Sequence, residues 1–190
     1  MFAILRPALS ILALMTLLTG VAYPLAITGI AQAAMPARAA GSLIARDGVV
    51  VGSALVGQAF RGAGYLHPRP SATDFDAAAA GASNLGPSAS ALLAAVAGRA
   101  EAWRRATGQD RVPLDAVTAS ASGLDPHVSP ANARAQAARI AEARGAPRAR
   151  VLAIIDAATT GPWLGLFGTA HVDVLAVNLA LDAEYPGGAE

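Results

Sequence analysis

From Pro7 to Ala37 this chain carries no charged residue, an interval of 31 positions between Arg6 and Arg38. A helix needs about 20 apolar residues to cross a hydrocarbon core of about 30 Å. Ala8 to Gly29 supplies them, with six Leu, two Ile and one Val. At about −0.3 to −0.6 kcal/mol each, these side chains favour insertion by roughly 3–5 kcal/mol, and no charge opposes them. All that follows must then lie on one side of a membrane.

A cleaved signal peptide is the competing reading, because Ala31-Gln32-Ala33 has the small-x-small form of a cleavage site. The apolar core runs well beyond the about 7–15 residues of a signal h-region, which favours a retained anchor. Pro24 lacks an N–H and clashes with the preceding turn, so it is expected to kink the helix or end its regular part. Thr16 and Gly20 are small and four apart, and could let this helix pack closely on another. The division expected is an anchor over residues 1–34, a linker over 35–41 and a soluble domain over 42–190. Arg6 flanks one end of the span, Arg38 and Arg46 the other. Charge alone leaves the topology open.

Beyond the anchor about 150 residues remain, enough for one domain with a real core. All 14 basic residues are Arg. Without Lys there is no phosphate-loop lysine, no Schiff base and no Ser-x-x-Lys pair. The net charge is +1 and the Arg residues are scattered, so no basic stripe points to nucleic acid. With no Cys, thiolate zinc sites and disulfide frameworks are excluded.

Asp47-Gly48 between apolar runs predicts a hairpin. Tyr65 to Ser71 must be extended, because Pro68 and Pro70 push their predecessors out of the helical region. Ser83 to Pro87 reads as a turn, and Ser88 as the cap of a helix that carries Leu93, Val96, Ala100 and Trp103 inward and ends at Gly108. Ser129-Pro130 opens a second helix, with Ala133, Ala137 and Ile140 on one face, ending at Gly145. Pro147 opens a third, with Val151, Ile154 and Ile155 inward. Ala170 to Val177 reads as a strand. Trp163 and Phe167, in a glycine-rich turn without a Lys-Ser ending, are expected to pack inward or against a partner. These elements predict an α+β protein: one N-terminal transmembrane helix, then a single soluble domain with a small sheet and several helices.

Ser120 or Ser122 with Asp125 and His127 could supply a hydrolytic nucleophile, orienter and base. Residues this close in sequence seldom satisfy those angles together, and no Gly-x-Ser-x-Gly elbow is present. The plainer reading is that these side chains tie down a loop and cap the next helix. A metal site from His67, His127 and His171 would need three distant positions to converge, and no His-x-x-x-His spacing supports it. No catalytic residue, metal ligand or bound cofactor is assigned.

Five blocks occur in order behind the anchor: Gly52 to Phe60, Tyr65 to Ala72, Ala82 to Pro87, Val117 to Pro130 and Val172 to Asn178. Together they closely resemble the C subunit of the bacterial Kdp potassium-transporting ATPase, over essentially the whole chain. Leu66 stands where Phe is usual, Ala82 and Ala121 replace glycines, and Thr169 replaces a common acidic residue. The resemblance implies a non-catalytic accessory subunit at the cytoplasmic membrane, with its soluble domain outside the cytoplasm. Its implied partners are a P-type ATPase subunit, a multi-span potassium-conducting subunit and a very small membrane subunit. Family members have been described as raising the ATP affinity of the ATPase subunit. With no phosphate loop and no Lys, any such effect is expected to be indirect, ATP being bound by the partner. The blocks also nominate Gln58, His67, Arg69, Ser71, Asn84, Ser120, Ser122, Asp125 and His127 for assembly or stability.

Overall fold

The computed structural model describes residues 2–186. Its backbone divides into two compact units after Val51. The first is dominated by one continuous helical rod. Helix α1 (Phe2–Leu17) passes through a π-helical turn at Leu18–Ala22 into α2 (Tyr23–Ala34). The stretch Ile4–Ala34 is long and apolar enough to cross a membrane. At 1.5 Å per residue its 31 residues span about 46 Å, enough to cross the core with tilt or with ends in the headgroups. Pro24 does not end the helix. The Tyr23 N–H reaches back five residues to the Leu18 carbonyl. The wider turn falls just ahead of the proline, and such bulges are a recognised way for a helix to absorb a disrupted ladder.

A short helix, α3 (Pro36–Ala39), follows Met35, and then the predicted hairpin: β1 (Leu43–Arg46) against β2 (Val49–Ser53). Asp47 and Gly48 both have positive φ, 51° and 79°, as the tight two-residue turn demands.

Among the described residues, the second unit contains five α-helices, one of them a single turn, and a three-stranded sheet. Helix α4 (Ser90–Thr107) starts one residue later than expected. Its N-cap is Ala89, and Ser88 caps nothing, because it lies in the turn ahead of the helix. Leu93 is exposed and Leu92 half-buried in its place, while Val96, Ala100 and Trp103 are half-buried as expected. Helix α5 (Leu114–Val117) is a single turn leading to β3 (His127–Val128). Helix α6 (Pro130–Arg144) begins as predicted: the Ser129 hydroxyl accepts the Asn132 N–H at 3.1 Å. Helix α7 (Arg148–Ala157) leads to β4 (Thr159–Thr160).

The expected strand over Ala170–Val177 is only β5 (His171–Asp173); α8 (Val174–Glu184) takes over at once. Asp173 switches the chain, its carboxylate accepting the Ala176 N–H at 2.9 Å. Val174, Val177 and Leu181 then fall on one buried helical face. The strand order is β3-β5-β4, all antiparallel, with Val128 opposite Val172. Those two valines turn to the core, where Ala133, Ala137 and Ile140 of α6 meet Val151 and Ile155 of α7 and Val177 and Leu181 of α8. Leu66 enters this core from the loop, fully buried.

Candidate functional site

The segment Gly62–Arg69 belongs to no helix or strand, yet it lies against the core. Its buried backbone therefore needs partners from elsewhere. Two buried amides provide them. Asn178 of α8 accepts the Leu66 N–H at 2.8 Å and donates to the Leu66 carbonyl at 3.0 Å. Gln136 of α6 does the same for His67, accepting its N–H at 2.9 Å and donating to its carbonyl at 3.1 Å. Each side chain imitates a neighbouring strand, so a proline-bounded loop is paired without a sheet. Gln136 also donates to Asn132 at 2.8 Å.

Two arginines fasten the rest of this loop. Arg139 donates to the Ala63 and Tyr65 carbonyls. Arg144, whose side chain is fully buried, bonds the Gly64 and Tyr185 carbonyls and Asp182, and lies over the Tyr65 ring. Burial lowers the Arg139 pKa to about 10, still far above neutrality.

A second layer joins the loop at residues 120–129 to the first. The Ser120 N–H donates to the Pro70 carbonyl, the Gly81 N–H to the Ser122 carbonyl, and the Gly57 N–H to the Leu124 carbonyl. The Ser71 hydroxyl accepts the Thr73 and Phe75 N–H groups, which turns the chain after Pro70. Arg69 pairs with Asp125 at 3.0 Å, both about one-quarter exposed. The other Asp125 oxygen accepts the His127 backbone N–H at 3.0 Å. Asp115 of α5 accepts the Ser129 N–H and hydroxyl and the Asn132 amide. It thus anchors the start of α6, where a carboxylate also suits the helix dipole.

His127 and His171 meet because of strand register. His127 lies opposite Asp173, and His171 is two residues away on the same face of β5. Their rings touch edge to face at 4.4 Å. They line a cavity of about 200 Å³ with Arg69, Asp115 and Asp125. His67 stays apart, its Nε2–H donating to the Gly62 carbonyl at 3.0 Å, so the three histidines do not converge. Among the described residues, no group of three His, Cys, Asp or Glu is placed to hold a metal.

The proposed nucleophiles fare no better. Ser120 is buried, and the Ser122 hydroxyl accepts the Leu124 N–H at 3.1 Å. Asp125 Oδ1 is 3.7 Å from His127 Nδ1, but among the described residues no hydrogen bond joins either serine to His127. These groups build a junction between loops. Of the other nominated residues, Gln58 lies over Gly52, where a Cβ would collide with its amide. Asn84 is exposed, in a left-handed conformation, and joins neither layer. Thr16 and Gly20 share a face of the apolar helix, where a Cβ on Gly20 would touch Thr16.

Gln136, Asn178, Arg139, Arg144 and Asp115 were not foreseen as site residues. A polar amide inside an apolar helical stripe was the available signal for Asn178 and Gln136.

Burial, and then the Arg139 charge, lower the His67 pKa from its ordinary 6.5. Because the folded value lies below the unfolded one, the unfolded chain takes up the proton first. The stabilisation from a neutral His67 is full above the unfolded pKa and is lost as pH falls below it. Urea unfolding at pH 7.5 and pH 5 should therefore show a smaller acid-side loss in His67→Gln than in the parent chain. Equal losses would refute the assignment.

The family described as "K+-transporting ATPase, c chain" (KdpC) matches residues 5–183. A protein named potassium-transporting ATPase KdpC subunit, from Cereibacter sphaeroides, is 66% identical over 94% of this chain and 96% of its own length. The namesake from Polaromonas naphthalenivorans is 57% identical over 96% of each chain. That from Rhodospirillum rubrum is 53% identical over 98% of each. The chain belongs to the KdpC family, the c chain of K+-transporting ATPases.

Proposed function

We propose that this protein is a single-span, non-catalytic accessory subunit of a potassium-transporting ATPase complex. The observation that carries this is the match to KdpC subunits over nearly the full length, anchor included. The partners are a P-type ATPase subunit, a multi-span potassium-conducting subunit and a very small membrane subunit. Ile4–Ala34 anchors the chain in the cytoplasmic membrane, with Thr16, Gly20 and Pro24 as helix-packing positions. The domain lies outside the cytoplasm. Any effect on ATP use passes through the stability of the complex.

The state of the loops supports a structural role over a chemical one. Ser71, Ser122 and Asp125 spend their side-chain oxygens on backbone N–H groups and on Arg69, and the Ser120 N–H bonds the Pro70 carbonyl, while Arg69 Nε is buried without a hydrogen-bond partner among the described residues. In this reading His67 and His127 belong to the same rigid surface, and Gln58 and Asn84 to its margins.

The test is purification of tagged full-length protein from native membranes in mild detergent, with mass spectrometry of its companions. Recovery of a P-type ATPase together with a multi-span channel-like subunit is expected. Repeated recovery of the protein alone would overturn the assignment.

A further inference from the structure

The segment Gly161–Gly168 carries a dense run of large apolar side chains that the second unit leaves uncovered. Trp163, Leu164, Leu166 and Phe167 are 61–80% exposed, four large apolar side chains within five residues. Their exposure is built in. Trp163 and Phe167 exchange backbone hydrogen bonds in both directions, at 2.8 and 3.0 Å, which closes a tight loop. Their rings pack on each other at 5.7 Å and on nothing in the core. Leu164 is held at a φ of 53°, a conformation that a branched side chain adopts only when the surroundings impose it. The loop sits directly after β4, one of the two edge strands of the sheet.

Exposed apolar patches on the order of a few hundred Å² mark interaction sites. Charge decides between protein and lipid. Not one charged residue occurs from Ala157 to Ala170. The nearest acidic groups on either side are Asp156, paired with Arg134, and Asp173, which caps α8. Segments that enter an anionic bilayer surface carry Lys or Arg beside their apolar residues. This loop has none within it. An uncharged centre with Trp and Phe anchors and a polar rim is the make-up of a protein–protein hot spot.

We propose that the Trp163–Phe167 loop is the anchor by which this domain docks on another subunit of the transport complex, seating in an apolar socket with a neutral or basic rim. This rests on the accessory-subunit reading and names the surface that it uses. The loop is preorganised, so docking costs little ordering entropy.

The test uses the full chain, expressed with its complex in native membranes. In one arm, Leu166 is replaced by a benzophenone-bearing phenylalanine and irradiated. A cross-link to the ATPase or potassium-conducting subunit, identified by mass spectrometry, is expected; cross-links to lipid alone would overturn the proposal in favour of membrane insertion. In the second arm, Leu164→Ser with Leu166→Ser is compared with the parent in mild-detergent co-purification. Both positions are exposed, so the thermal midpoint of the domain should not change. Partner recovery should fall at least tenfold. Parental recovery with an unchanged midpoint would overturn the docking role and leave the accessory-subunit reading standing. If the parent itself recovers no partner, that reading falls, and the docking role with it.

Discussion

Asn178→Ala is expected to destabilise the folded domain by about 3–5 kcal/mol, a large share of the about 5–15 kcal/mol that holds a typical domain together. The reason lies in the loop, not in α8. Removing the amide leaves both the N–H and the carbonyl of Leu66 without their partner, while the Leu66 side chain remains fully buried. Each buried backbone group left unsatisfied costs about 1–3 kcal/mol, and the cavity left behind adds to that. Asn178→Leu should be no rescue, because it fills the volume and satisfies neither group. Asn178→Asp keeps an acceptor for the N–H but loses the donor and buries a charge, so it should also be severe. Both tryptophans, Trp103 and Trp163, lie in the second unit, so their fluorescence during urea unfolding in detergent reports on that unit alone. A loss below 1 kcal/mol for Asn178→Ala would mean that water replaces the amide and that the loop is not held as described.

The features legible from sequence were those decided within a few residues. Asp47-Gly48 specified its hairpin because only such residues take the required φ values cheaply. Ser129-Pro130 and Gly145 marked both ends of α6 for equally local reasons. The errors came where distant partners decide. Strands β3 and β4 are two residues long and exist because β5 lies between them. At Ala170–Val177, valines at 172, 174 and 177 suit either period, and the Asp173 cap settled the matter for a helix. Ser88 looked like a cap, but the helix began at Ser90 behind Ala89.

The site was legible in part for the same reason. The motif blocks pointed to the loops at His67–Ser71 and Ser120–Ser129, and the structure brings these together through Arg69, Pro70, Ser120 and Asp125. What holds the first loop in place was out of view. Asn178 lies 112 residues from Leu66, and Gln136 lies 69 from His67. No local pattern encodes such a bond. An amide in an apolar stripe signals only that some buried polar group needs a partner. The contact of His127 with His171 likewise depends on the β3–β5 register, which no short-range signal sets.

Gly123→Ala is the second substitution with a large expected effect, about 2–5 kcal/mol, and it tests the junction between the two loops. Two penalties act together. Gly123 has a φ of 71°, where an L side chain costs about 1–2 kcal/mol. Its added Cβ would also stand 2.5 Å from Thr73 Oγ1, 3.0 Å from the Gly81 carbonyl and 3.2 Å from Ser71 Oγ. Overpacking of that kind costs about 1–3 kcal/mol. The Gly81 carbonyl is backbone and cannot rotate away, so the 120–129 loop must move from the 71–81 loop. That movement would strain the Gly81–Ser122 and Ser120–Pro70 hydrogen bonds, and through them the Arg69–Asp125 pair. Gly57→Ala carries a contact penalty without a positive φ: its Cβ would meet the Asp125 carbonyl, which is backbone and cannot rotate away, at 2.6 Å, so its loss should be comparable. Gly98→Ala is the control, since it lies inside α4 with open space around it and should stabilise by about 0.5–1 kcal/mol. The order expected in urea unfolding is therefore Gly98→Ala above the parent, with Gly57→Ala and Gly123→Ala both well below it. If Gly123→Ala unfolds like the parent while Gly98→Ala behaves as stated, the two loops are not locked together. The 62–69 loop would then be held by the Asn178 and Gln136 amides with Arg139 and Arg144, independently of the 120–129 loop.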